Sequence, residues 1–178
     1  FAVNRRRVRH REYPGPTDHD VPVLAVRKPG GDLIAVAFGY ACHATVLSNY
    51  KINGDWPGFA QSAVEKLHPG AVALFVNGCG ADQNPLPRRT EVLARRYGDT
   101  LATAVSEVLA KKMKDLSGPL RAAYEKVDLP FNTPTKAELD KRLSDANRRK
   151  REHAGRMLKI LEDEGKLMTH FPYPVQVW

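Results

Sequence analysis

Apolar positions along the chain fall into short β-compatible runs and longer helical stripes, separated by clusters of turn residues. Val21-Pro22-Val23-Leu24-Ala25-Val26-Arg27 and Leu33-Ile34-Ala35-Val36-Ala37-Phe38-Gly39 flank Pro29-Gly30-Gly31-Asp32, which predicts an antiparallel hairpin. A loop follows over Ser48 to Asp55. Pro57 then suits a first helical turn, with Asp55 available as a cap or near-cap, and the helix runs through Phe59, Ala63 and Val64 to about Leu67. His68-Pro69-Gly70 ends it. Ala71-Val72-Ala73-Leu74-Phe75-Val76 is unbroken in its apolar character, as expected of a strand buried on both faces.

The polar stretch from Asn77 to Pro85 separates that strand from a second helix. Leu93, Tyr97, Leu101, Ala104 and Val108 trace one apolar face between about Thr90 and Lys114. A further strand is expected near Leu120 to Leu129. Thr135 followed by Glu138 has the form of a capping box, opening one long helix that ends near Gly165. Its stripe (Leu139, Leu143, Ala146, Met157, Leu161) is thin, so this helix is placed on the outside. Val175-Gln176-Val177-Trp178 reads as the opening of a strand. The predicted fold class is α/β: a mixed β-sheet with a hairpin and flanking helices, plus a long outer helix near the C-terminus. The sheet and its helices are assigned to residues 1–130 and the peripheral helix to 135–165. The arginines after Phe1-Ala2-Val3-Asn4 do not form a signal peptide, and both ends are expected to lie inside a longer protein.

Composition adds limits. The 178 residues are 42% hydrophobic and 27% charged, a globular balance with room for a core. No run approaches the ~18 apolar residues of a membrane span. The net charge of +8 concentrates in Arg5 to Arg11 and in Arg148-Arg149-Lys150-Arg151. Such runs are ordinarily solvated faces, and no recognition motif surrounds them, so nucleic acid is not an expected partner. Peripheral contact with an anionic membrane surface stays open. Two cysteines, Cys42 and Cys79, make no disulfide framework.

Three segments could carry chemistry. Gly39-Tyr40-Ala41-Cys42-His43-Ala44-Thr45 follows a buried-looking strand, where ligands collect in open α/β sheets. His43 there is either a core histidine bonded to backbone or a metal ligand or base. Cys42 is not its partner, since neighbouring strand residues point to opposite faces. In Gly78 to Pro85, glycines allow close backbone approach. Asp82, Gln83 and Asn84 supply a carboxylate and two amides that either orient water and substrate or simply build the turn. Asn53-Gly54-Asp55-Trp56-Pro57-Gly58 reads as helix capping. His10, His19, His68, His153 and His170 are scattered without ligand spacing, so the chain shows no complete zinc site of its own.

In order, Asn4-Arg5-Arg6, Asp20 to Arg27, His43-Ala44-Thr45, Gly54-Asp55 to Gly58 and Gly80 to Pro85 resemble the neutral/alkaline non-lysosomal ceramidase family. The ordered motifs cover roughly residues 1–110. The resemblance implies that the chain is an internal part of one ceramidase-like catalytic domain, with His43 as a zinc ligand and Arg5 beside the substrate's polar end. It implies that the other ligands (a histidine from an earlier loop, then a glutamate and a tyrosine) lie outside these residues. It also implies a lipid-like N-acyl substrate, sphingolipid metabolism, and a secreted or periplasmic setting. Two departures bear on substrate. The family's loop serine is absent from Gly80-Ala81-Asp82-Gln83-Asn84-Pro85, and Thr45-Val46-Leu47 stands where the family has Thr-Ser-Met. The expected function is zinc-dependent hydrolysis of an amide, with Asp82, Gln83 and Asn84 as candidate catalytic residues, Arg5 and Gly80 touching substrate, and His43 holding metal. The alternative is a binding or structural domain that has lost the chemistry. Oligomeric state is left open.

Overall fold

The computed structural model describes residues 1–4 and 15–177. Their contacts form two compact units, Phe1–Asp115 and Leu116–Trp178.

The first unit is built on a β-α-β crossover. Strand β2 (Val23–Arg27) pairs antiparallel with β3 (Leu33–Tyr40), as the hairpin pattern predicts. The turn closes through Gly31 N–H to Lys28 O at 2.8 Å, with Gly31 at φ 94°. Helix α1 (Asp55–Leu67) then returns the chain so that β4 (Val72–Asn77) lies parallel to β3, giving the order β2-β3-β4. Helix α2 (Glu91–Leu109) opens with the Thr90 hydroxyl accepting from Leu93 N–H at 3.2 Å. α1 and α2 cross where a Cβ on Gly98 would meet Phe59 Cβ at 2.6 Å, so glycine is what permits the approach.

Both helices contribute to the same core as the sheet. Val36, Phe38 and Tyr40 of β3 and Ala73 of β4 cluster with Trp56, Ala60 and Val64 of α1 and Tyr97, Leu101 and Val105 of α2. Phe1 joins this cluster, stacked on Tyr97 with ring centroids 4.5 Å apart. Phe1 belongs to a pairing that local pattern did not announce. Strand β1 (Ala2–Asn4) runs antiparallel to β5 (Gln83–Pro85), which lies inside the polar stretch read from the sequence as loop.

Two expectations for this unit are corrected. β4 is not buried on both faces: Ala73 and Phe75 turn inward, while Val72, Leu74 and Val76 stay exposed. Leu24 shares their face through the register Leu24↔Ala37↔Leu74. The apolar stripe of α2 is also rotated, with Ala94, Tyr97, Gly98, Leu101, Ala102 and Val105 buried rather than Ala104 and Val108.

In the second unit β6 (Ala123–Pro130) pairs, among the described residues, only with β7 (His170–Val177), as an antiparallel ribbon. Val175 to Val177 therefore lie within a strand that opens at His170. The capping box forms as predicted: Thr135 Oγ1 accepts from Glu138 N–H at 3.3 Å, and Thr135 N–H donates to Glu138 Oε2 at 2.8 Å. The expected single long helix is two, α3 (Lys136–Arg142) and α4 (Arg148–Glu164). Asn147 caps the second by accepting from Arg149 N–H at 2.9 Å, and Gly165 ends it in the left-handed region at φ 71°. No helix among the described residues is long and apolar enough to cross a membrane.

Candidate functional site

Because β3 and β4 are parallel neighbours, the segments that follow them emerge side by side. Here they touch. A Cβ on Gly80 would lie 2.5 Å from Cys42 N, and one on Gly78 would lie 3.2 Å from Ala41. Gly78 N–H donates to Tyr40 O at 3.1 Å, and His43 N–H donates to Gln83 O at 3.0 Å. The close approach that Gly80 permits is thus to the neighbouring loop.

His43 is half-buried at this junction. Its Nε2 lies 3.0 Å from Ala81 O. A carbonyl only accepts, so Nε2 carries the proton, and a neutral ring then has its lone pair on Nδ1. No hydrogen bond to Nδ1 exists among the described residues. A ring anchored by one N–H on a carbonyl, with the other nitrogen unprotonated, is the arrangement found behind metal-bound histidines. His43 therefore fits the role of a ligand. Among the described residues, however, no group of three or more His, Cys, Asp or Glu side chains is placed to hold a metal. Thr45, two residues on, has a buried hydroxyl oxygen with no partner among those residues, a condition that costs about 1–3 kcal/mol unless something satisfies it.

The Asp82 carboxylate is exposed and accepts from Asn4 Nδ2 at 2.7 Å through Oδ2. The same amide donates to Pro16 O at 2.8 Å. Gln83 and Asn84 are buried in β5. Gln83 Oε1 accepts from Asp18 N–H at 3.1 Å, while Asn84 Oδ1 is 3.5 Å from Arg88 Nη1. His19 Nδ1 is 3.2 Å from the Tyr40 hydroxyl, and burial raises that phenol above its ordinary pKa. The structure thus brings His43 and Ala81 to Asn84 together. Arg5 lies outside the described residues.

Cys42 is buried beside His43, and burial pushes its thiol up to about 12, so it stays protonated at neutral pH. The sequence-level exclusion of a Cys-His pair agrees with that chemistry. His68 is engaged elsewhere, with Nε2 3.0 Å from Ser106 Oγ.

Asp55 departs from its expected role. The cap position of α1 is Gly54, without a side-chain bond, and Asp55 is the first helical residue, at φ 50°. Its buried carboxylate turns back to the loop after β3. Oδ1 accepts from Val46 N–H at 3.2 Å and Trp56 N–H at 2.7 Å, and Oδ2 accepts from Leu47 N–H at 2.7 Å. Trp56 Nε1 donates to His43 O at 3.0 Å. An aspartate before a predicted helix looks the same in sequence whether it caps that helix or binds another segment. Asn4 gave no local sign of its contact with Asp82, 78 residues away.

The fold has counterparts among solved structures. A solved structure described as a ceramidase complexed with C2 superposes with a TM-score of 0.61 at 20% identity, over 71% of this chain and 23% of that one. The neutral ceramidase of Pseudomonas aeruginosa gives 0.59 at 18% identity, over 90% of this chain and 32% of that one. The chain shares its fold with part of these ceramidase structures. It spans less than a third of the length of either ceramidase structure. At these identities the likeness is one of fold, and it agrees with the resemblance drawn from the His43 and Gly80 to Pro85 segments. No family model matches the sequence, and a search of curated proteins returns no match.

Proposed function

We propose that this chain is the His43-bearing part of a ceramidase-like, zinc-dependent hydrolase that cleaves the amide of a lipid-like N-acyl substrate. The observation that carries the reading is the His43 ring, with Nε2 anchored on Ala81 O at 3.0 Å and no hydrogen bond to Nδ1 among the described residues, at the carboxyl end of a parallel strand. Support comes from the fold that the chain shares with part of the ceramidase structures. When bound, zinc supplies Lewis-acid polarisation of a carbonyl and lowers the pKa of water from ~15.7 to about 7.

The residues of this chain have separable parts in that reading. His43 Nδ1 holds the metal. Asp82, exposed and fixed by Asn4 through one oxygen, has its other oxygen to orient a water or an amide N–H. Gln83 and Asn84 are buried, and the Gln83 carbonyl accepts from His43 N–H, so they serve by tying the two loops together. Gly80 lets the two loops close on one substrate, and by the family resemblance Arg5 would bind the substrate's polar end.

The test uses the full-length parent protein. Wild type should hold about one zinc per chain and hydrolyse a short-chain N-acyl sphingoid amide. His43→Ala should lose the zinc, measured by elemental analysis, and more than a hundredfold of the activity, with its circular-dichroism melt retained. A His43→Ala protein with full zinc content sinks the assignment.

A further inference from the structure

The aim of the His43 ring depends on a loop that does not hold itself. From His43 to Leu47 the chain is neither helix nor strand. Among the described residues its internal backbone bonds are limited to Thr45 N–H to His43 O at 3.0 Å, while His43 N–H donates to Gln83 O at 3.0 Å and Arg89 N–H reaches Val46 O at 2.7 Å. Two consecutive residues at the start of α1 grip its two ends. Trp56 is fully buried and packed edge-on against Tyr40 and Phe75, and it holds the His43 carbonyl. Asp55 holds the Val46 and Leu47 amides.

Three features make Asp55 more than a turn residue. Its carboxylate is 6% exposed and has no ion pair among the described residues, so its charge is met by the three backbone N–H groups. Two of those groups belong to the His43 loop rather than to its own helix. Its backbone sits at φ 50°, a region that side-chain-bearing residues occupy under strain. The side chain is therefore kept where glycine would suit the backbone better.

We propose that Asp55 is a positioning residue: by fixing the Val46 and Leu47 amides it orients the His43 backbone so that Nε2–H meets Ala81 O and Nδ1 faces outward. This rests on the reading of His43 as the working imidazole. It adds a group that holds the ring in place from outside the site. The carbonyl of Ala81 selects the tautomer, and Asp55 keeps the ring within reach of it.

Asp55→Asn tests this in the full chain, because the amide keeps one acceptor but sets an N–H₂ against one of the two loop amides. With ¹⁵N-labelled histidine, wild type should show His43 as the Nε2–H tautomer with slow exchange of that proton. Asp55→Asn should show mixed tautomers and fast exchange, together with a 10–100-fold weaker zinc affinity. Val64→Ala, which opens a cavity in α1 away from the loop, serves as the control for lost stability and should leave the ring signals unchanged. If Asp55→Asn unfolds the chain, Asp55→Ser carries the same readout with a shorter acceptor. Unchanged ring tautomer and exchange in a folded Asp55 variant, or the same change in Val64→Ala, overturns the proposal. A wild type without zinc whose ring still loses its tautomer in Asp55→Asn supports Asp55 positioning while removing the zinc reading.

Discussion

The segments after β3 and β4 leave neighbouring parallel strands and meet at one junction, yet they are secured by opposite means. The first, residues 41–47, is held from outside by side chains: the Asp55 carboxylate and the Trp56 indole reach in from α1. The second, residues 78–82, packs chiefly through glycine backbone, with Gly78 N–H on Tyr40 O and Gly80 lying against Ala41 and Cys42, and among the described residues side chains meet only its outer end, His43 at Ala81 O and Asn4 at Asp82. Each carries a cysteine, buried in the first and exposed in the second. The difference teaches that the first segment is tuned by substituting residues elsewhere, while the second has no room for a side chain at Gly80.

The largest expected effect breaks the second segment. Gly80→Ala places a Cβ 2.5 Å from Cys42 N and 2.6 Å from Ala41 C, and these are backbone atoms that cannot rotate away. The predicted loss is about 3 kcal/mol, at the upper end for overpacking, read as a shift in the urea midpoint. A wild-type midpoint would show that the segments slide apart freely.

A smaller effect tests the first. Trp56→Phe keeps an aromatic ring in the core but removes the indole donor to the His43 carbonyl, leaving it the Thr45 N–H. The expected cost is about 1–2 kcal/mol by the same measurement. Faster amide exchange should be confined to 43–47, with 78–82 unchanged.

The smallest perturbation only reads the contrast. At pH 8 iodoacetamide should modify Cys79 promptly and Cys42 only after unfolding, as mass spectrometry of peptides will show. The Cys42 thiol is raised from its ordinary 9.0 to about 12, chiefly by burial. The folded state therefore keeps a proton that the unfolded state releases. Its contribution to stability is whole below pH 9 and is lost as pH rises toward 12. Equal labelling of both thiols in the native protein would contradict the burial of the first segment.

Much of the first unit was legible in the sequence because its signals are local. The turn at Pro29 to Asp32, the Pro57 helix start and the stripe around Tyr97 and Leu101 each depend on a few consecutive residues. β1 and β5 were not legible, since three-residue strands carry no period and their pairing joins Ala2 to Pro85. An unbroken apolar run cannot say how many of its faces are covered, which is why β4 was read as doubly buried. The α3–α4 break did have a signal in Asp145 and Asn147, whose side chains accept from Asn147 N–H and Arg149 N–H, but the thin apolar stripe was read across it as one helix. At the site, His43 and the 80–85 segment stood out by residue type and position. Asp55 was mistaken for a cap because its partners, Val46 and Leu47, precede it by eight or nine residues.

The pairing of β1 with β5 has a consequence for how this molecule comes together. The β3-α1-β4 crossover closes over fewer than forty residues, Ala35 meeting Val72. The Asn4 bond to Asp82 spans 78 residues. Chain closure over the longer span is entropically dearer by roughly 0.7 kcal/mol, and its three-residue strand offers few bonds in return. The Asp82 carboxylate is thus secured by a long-range and shallow clasp, whereas the His43 ring follows a strand of the part of the fold that closes over the shorter span.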